Sequence, residues 1–415
     1  MTDTDSTDSF STSDSADSFT ETTTTSWFSR ILDSIKGVLF GLVLIVGTCA
    51  LLFWNEGRAV QTAKSLAEGS GLVVDVAPAA VDPAMEAKLV HVSGDAEAKA
   101  PLVDPEFGVS TVALKLDRKV EMYQWKQEEH SETRKNLGGS EETVTTYTYS
   151  KVWSDEAIDS QRFKRSSDHV NPPMRYKSTS LVARDAAIGA YRPGPPVLIK
   201  LSADQAVRAD AALLNPIKAR LRGPAEINDG QIYLGESAAN PRLGDIRINY
   251  FAAPNGPISV IGGQSGADFA PYQTKAGDRL LIVRSGTVSA AEMFRSEEQL
   301  NVIITWAIRL VGALLMFVGF SMLLAPLVVV ADVVPLIGSV LGAGTFLVSL
   351  GLTAVLAPSI IALAWFFYRP LVSVVVLAAG IALGFGFRTW AARRTAARAG
   401  RVPQAGAVVA APKPA

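Results

Sequence analysis

The sequence predicts an integral membrane protein: four transmembrane α-helices plus a large β-rich α+β domain outside the cytoplasm. Three observations predict it. The 415 residues are 48% hydrophobic, and the mean hydropathy of +0.22 is higher than soluble chains of this size average. The apolar residues are concentrated in one run at 37–54 and a block filling nearly all of 301–387. Between them lie the mostly soluble residues 55–300, where from Leu89 onward the period changes to the alternation of strands.

Taken in order, residues 1–28 are rich in Ser, Thr and Asp, with too little apolar surface to offset ordering entropy. They are expected to form a disordered tail. The run 37–54 just spans a hydrocarbon core of about 30 Å. It follows an acidic segment and ends in bulky Phe53-Trp54, which fits a retained anchor better than a cleaved leader. Further spans are expected at 302–324, 338–366 and 370–387, broken by Asp332 and Pro335 and then by Arg369-Pro370. A basic, then Pro/Ala-rich tail follows at 388–415.

Orientation follows from basic residues. Arg30 and Lys36 precede the first span, and Arg388, Arg393, Arg394, Arg398 and Arg401 follow the last. Both clusters are expected in the cytoplasm, and four spans put them on one side. Residues 55–300 are then extracytoplasmic. The membrane would be the inner membrane of a bacterium, or the endoplasmic reticulum or nuclear envelope of a eukaryote.

Within the large domain, 55–71 reads as a helical continuation of the first span. In 112–125, Val112, Leu114, Leu116, Val120 and Met122 share one face, the pattern of a half-buried strand. Gly138-Gly139 then offers a turn, and 143–153 a second strand, so the two predict an antiparallel hairpin. The charged stretch 126–135 would be its solvated end. Later strands are expected at 197–201, 231–234, 245–252, 258–261 and 279–284, with a helix over 203–214. Ser289 with Glu292 marks the start of a helix running into the second span, which gives the domain two tethers.

Few residues suggest chemistry. The single cysteine, Cys49, lies inside the first run, where it is a small hydrophobe. His91, His130 and His169 lack metal-ligand spacing. Gly263-Gln264-Ser265-Gly266 misses the nucleophile-elbow pattern by one residue and reads as a turn. No glycine-rich phosphate loop follows a strand, and a net charge of −1 provides no field for nucleic acid. The expectation is a protein with no catalytic, cofactor-binding or metal-binding residues. What stands out is in the spans. Gly37 with Gly41, Gly338 with Gly342, and Gly380 with Gly384 have the four-residue spacing that lets helices pack closely. Arg309 lies about seven residues inside the second span, where a charge needs a partner, a role or a route to the interface.

Several motifs carry a family resemblance. Asn55-Glu56-Gly57-Arg58-Ala59, Ser65-Leu66-Ala67-Glu68-Gly69, Val120-Glu121-Met122-Tyr123-Gln124-Trp125 and Thr146-Tyr147-Thr148-Tyr149 are four of them. Leu243-Gly244-Asp245-Ile246-Arg247, Gly277-Asp278-Arg279-Leu280 and Phe366-Phe367-Tyr368-Arg369-Pro370 follow in order. Together they resemble the transmembrane-protein-43 (LUMA) family. The resemblance implies four spans with the large domain in the lumen or an equivalent space. Animal members reside at the endoplasmic reticulum and inner nuclear membrane, where they bind other envelope proteins and organise the membrane. It brings no catalytic residues. The functional expectation is a non-enzymatic membrane scaffold whose outer domain binds partner proteins or lipids and whose spans self-associate. A channel or transporter component is the alternative, and a membrane-anchored hydrolase the third.

Overall fold

The computed structural model describes residues 7–9, 17–221 and 223–370. Three long helices carry the apolar runs: α1 (Trp27–Leu72), α2 (Ala290–Ala331) and α3 (Pro335–Tyr368). Each is long and apolar enough to cross a membrane. The described residues therefore hold three such helices rather than four. The fourth expected span, with Gly380 and Gly384, and the tail 388–415 lie outside the described residues, except for Pro370.

α1 and α2 do not stop where their apolar runs stop. Both continue into the domain because their extensions share its core. Leu66 on α1 and Ala290, Met293 and Phe294 on α2 bury with Leu89, Ile261, Leu280 and Ile282. A buried side chain of this size contributes about 1.5–3 kcal/mol. Ser289 caps α2 by accepting the Glu292 amide at 3.3 Å. Gly69 admits Leu280 and Phe294 against the α1 backbone, since a β-carbon there would stand 2.5 Å from Leu280 Cδ1.

The domain is built on six main strands: β1 (Asp17–Thr25), β2 (Leu89–Glu97), β3 (Lys115–Lys135), β4 (Glu141–Ser154), β5 (Ile246–Ala253) and β6 (Gly256–Ser265). A nine-stranded sheet runs through β1, β4, β3 and β5 in that order, and a six-stranded sheet has β2 beside β6. β5 turns directly into β6, so the chain passes from one sheet to the other. Consecutive residues of a strand face opposite ways. Ala252 accordingly joins one hydrophobic core and Ala253 the other.

The inward row of β3 contains a charge. Leu116, Val120 and Met122 point into the core as the alternation predicts, but so does Arg118, only 7% exposed. Its guanidinium pairs with Asp104 at 2.9 Å. The Tyr250 hydroxyl donates to the same carboxylate at 2.7 Å. Burial and that hydrogen bond raise the pKa of Tyr250 and hold it neutral.

Three local expectations are corrected. Residues 197–201 are no strand, because Pro195 and Pro196 open a short helix, Pro195–Leu198. The expected helix over 203–214 gives way to a strand, Gln205–Val207, pairing with β5. The helix comes later, Leu214–Leu221, after Asp210 caps a 3-10 turn. The third concerns the tail. Residues 17–25 form β1 and pair with β4 along their whole length, from Asp17↔Tyr149 to Thr25↔Glu141. Apolar content was the wrong measure for a run of β-branched threonines that finds a Thr/Tyr-rich partner edge. Phe19 stacks on Tyr147, Lys164 pairs with Glu21 at 2.6 Å, and buried His169 contacts Asp17 at 2.9 Å.

The β3–β4 hairpin reaches far from the domain body. Its root lies in the core, and its turn meets the opposite end of α1, where Gly139 accepts from Arg30 at 2.6 Å. Residues 17–25 and 141–149 are strand partners, although the count of basic residues puts them on opposite sides of a bilayer.

That pairing predicts a disulfide. Thr20 and Thr146 are opposite each other, their hydroxyls 3.4 Å apart. In a Cys49→Ser background, T20C with T146C is expected to oxidise to an intramolecular bond and resist maleimide–polyethylene glycol labelling. Two fully labelled thiols after mild oxidation would contradict the pairing.

Candidate functional site at the polar layers of the helix bundle

α1 and α2 carry polar side chains at two levels and almost none between. At the domain end, Arg309 on α2 meets Glu56 on α1 in a two-pronged pair at 2.7 and 2.8 Å. Glu56 is 1% exposed. Trp365 on α3 donates its indole N–H to the same carboxylate at 2.8 Å, and Arg309 lies 4.8 Å from the Trp306 ring. One turn away, Arg58 donates to Asn301 at 3.1 Å and Thr305 at 3.0 Å. Asn55 and Asn301 each donate across to the facing helix, to the Thr305 and Ala59 carbonyls. This layer thus joins all three helices with charge-assisted bonds.

The second layer lies at the far end. Arg30 on α1 pairs with Asp332, which caps α2, at 2.6 Å, and Lys135 from the hairpin reaches the same carboxylate at 2.8 Å. Arg30 also meets Glu141 at 3.0 Å. Trp27 donates to the Val329 carbonyl at 2.9 Å. Asp332, expected only to mark a turn, is wholly buried and binds two cations. At 1.5 Å per residue, the two layers stand roughly 35–39 Å apart along α2 and α1. The outward surface between them is apolar, with Leu39, Phe40, Val43, Val46, Leu310 and Leu314 exposed. This height matches a hydrocarbon core of ~30 Å bounded by polar groups.

The glycines divide by role. A β-carbon on Gly41 would stand 2.7 Å from the Gly319 carbonyl, so Gly41 is where α1 and α2 touch. Its counterparts are Gly319 and Gly312, which four-residue spacing does not reveal because they are seven apart. Gly37 and Gly342 have only ordinary contacts, at 3.7 Å. Gly338 packs tightly against Asp332 and serves the turn between α2 and α3. The histidines assemble no nucleophile. His91 contacts Asp75 at 2.5 Å and the Val288 carbonyl, while His169 contacts Asp17 and the Arg165 carbonyl. Gln264, inside the rejected elbow motif, lies on β6 and not in a turn, buried and bonded to Tyr191 and the Asp82 carbonyl. Among the described residues no cluster of His, Cys, Asp or Glu is arranged to hold a metal ion.

The family model for Transmembrane protein 43 matches residues 122–370. The mouse protein of that name is 32% identical over 354 residues, covering 82% of this chain and 87% of its own. The chain belongs to the transmembrane protein 43 family. The human protein is 31% identical over 366 residues, covering 85% of this chain and 89% of its own. The fruit-fly homologue is 33% identical over 351 residues, with 82% and 91% covered. No solved structure matches the chain.

In this transmembrane protein 43 relative, the resembling motifs meet in pairs. Asn55-Glu56-Gly57-Arg58 meets Trp365 and Phe366-Phe367-Tyr368. Gly57 leaves room for the Tyr368 ring, which would lie 2.7 Å from a β-carbon, and Phe53 packs on Tyr368 at 5.5 Å. Glu121 on β3 holds Arg247 on β5 at 2.7 Å, while the Tyr123 amide donates to the Asp245 carbonyl and the Tyr123 carbonyl accepts from the Gly244 amide. Asp278 and Leu280 meet Gln61 and Gly69 on α1.

Arg309 was expected to snorkel or to find a structural partner, and the geometry gives it Glu56. Removing either leaves a lone charge among apolar helices. Glu56→Ala and Arg309→Ala are each expected to cost about 3–5 kcal/mol in detergent unfolding, whereas Glu56→Leu with Arg309→Met costs less than either single change. Single variants as stable as wild type would show the pair to be dispensable.

Proposed function

We propose that this protein is a non-enzymatic, self-associating organiser of its membrane. The observation that supports it is the hairpin. Lys126, Glu128, Glu129, His130, Glu132, Arg134 and Lys135 line a strand that runs beside the apolar slab, and residues 128–138 are exposed. From Trp125 to Lys135 the strand covers about 33 Å, close to the slab's own height. Backbone and charges at that depth are tolerated only where protein or water shields them from lipid. Copies that turn their hairpin faces toward one another provide that shield and leave the apolar faces of α1, α2 and α3 to the bilayer. The globular body then stands on the extracytoplasmic side, on two rigid tethers, as a surface for partner proteins. The family membership and the three apolar helices support a membrane location.

Cross-linking in native membranes tests this reading. Wild type is expected as oligomers. A variant whose residues 128–148 are replaced by an Asn-Gly turn, which leaves Gln127 opposite Tyr149, is expected to shift toward monomer while keeping its domain folded. A strictly monomeric wild type with no co-purifying partner would overturn it.

The same hairpin gives a second reading. Lys126, Glu128, His130, Glu132 and Arg134 share one face of the strand, and five titratable side chains in a row at slab depth would suit the wall of a conduction path. Ion flux into proteoliposomes that the hairpin replacement abolishes would favour a channel component over a pure organiser. Absence of flux in wild type leaves the organiser.

A further inference from the structure

A cleft of about 800 Å³ opens where the domain stands on α1 and α2. One wall is the α1 face bearing Arg58, Thr62 and Leu66, spaced by four residues, and the opposite wall is the strand region 279–284. Arg58, Lys200, Arg279 and Arg284 point four cations at it, against the acids Asp278 and Glu297. In a chain of net charge −1 this is a local excess of positive charge.

The pairing makes the excess sharper. Arg284 is held by Glu297 at 2.5 Å. Among the described residues, the other three cations donate only to neutral groups. Lys200 donates to the Leu281 carbonyl at 2.9 Å and Arg279 to the Gln273 side chain at 3.1 Å. Arg58 donates to Asn55, Asn301 and Thr305, and its Nε is buried with no acceptor among the described residues. Asp278, which accepts from Gln61 at 2.7 Å, offsets part of this charge and leaves the four cations in excess over the two carboxylates around the cleft. Cations that face one space in excess over its carboxylates repel one another, and an anion between them lowers that cost.

The position narrows the chemistry of the anion. Arg58 is one helical turn beyond Trp54, which is 57% exposed, and Trp306 on α2 is exposed on the same layer. Such tryptophans mark the membrane–water interface. The cleft therefore begins at headgroup level, and Leu66 and Leu280 provide an apolar floor beneath its cationic rim. Two guanidinium forks and an ammonium around an amphipathic cleft suit a phosphate ester. We infer that the cleft between α1 and strand region 279–284 binds a phosphate ester, presented either by an anionic phospholipid headgroup or by a soluble molecule. The inference rests on the membrane placement proposed above and not on self-association, so monomeric protein would leave it standing.

The test uses purified full-length protein in nanodiscs. Thermal stability and retained lipid are measured in phosphatidylcholine alone, with phosphatidic acid added, and with glycerol 3-phosphate added to the neutral discs. Arg279→Gln and Lys200→Gln are each expected to weaken binding about fivefold and together more than tenfold. The control Arg208→Gln, at a surface pair with Asp229 outside the cleft, leaves binding unchanged. Arg58 is spared because it also ties α1 to α2. Stabilisation by phosphatidic acid alone, lost in the double variant, supports the site with a lipid source. Equal stabilisation by glycerol 3-phosphate, lost in the same variant, supports it with a soluble source. No preference for either over neutral discs, or a preference that survives the double variant, overturns the inference.

Discussion

Polar groups in a stretch of apolar helix have to be satisfied by one another, because lipid offers them nothing. Glu56 and Arg309 meet that requirement at one end of the bundle, and Arg30 and Asp332 at the other. An isolated carboxylate or guanidinium at either place would carry a large desolvation penalty, so each pair fixes the register of α1 against α2. Once that register is set, Gly41 falls opposite Gly319, and their backbones come into contact. The near pair also recruits Trp365, which sets α3 against the other two helices. The slab between the layers is left apolar, at the height of a bilayer core.

The helix register in turn positions the domain. α1 and α2 run without a break from the slab into the core shared with Leu89, Leu280 and Ile282, so the domain has no hinge at its base. The cationic cleft exists because of this arrangement, since one wall belongs to α1 and the other to the strands that α1 carries. The β3–β4 hairpin crosses back to the far layer, where Lys135 reaches Asp332. The two ends of the bundle are therefore joined twice, once by apolar helices and once by a polar ribbon.

Much of this was legible in the sequence. Apolar runs located α1, α2 and α3, and period-two alternation located the β3–β4 hairpin. The Ser289 cap and the extension past Trp54 announced the tethers, because capping and helical periodicity are local signals. The failures were of another kind. Residues 197–201 and 203–214 were misread because short apolar stretches do not distinguish strand from helix without their partners. Arg118 broke the inward row of β3, and only Asp104 and Tyr250 explain its place there. The strand at 17–25 escaped because its stability comes from the β4 edge rather than from its own composition.

The sequence by itself determined where apolar surface is concentrated, and hence that this is a membrane-type chain with one large β-rich domain. It also determined which segments resemble transmembrane protein 43, and that Arg309 needed an answer. Only the tertiary structure decided what the answer was. Glu56 is 253 residues away along the chain, and no local pattern links the two. The same holds for Arg30 with Asp332, for β1 with β4, and for the cations gathered around the cleft. Hydrophobicity is a property of each residue and can be read in order, whereas charge pairing depends on distance in space, which only the folded chain supplies.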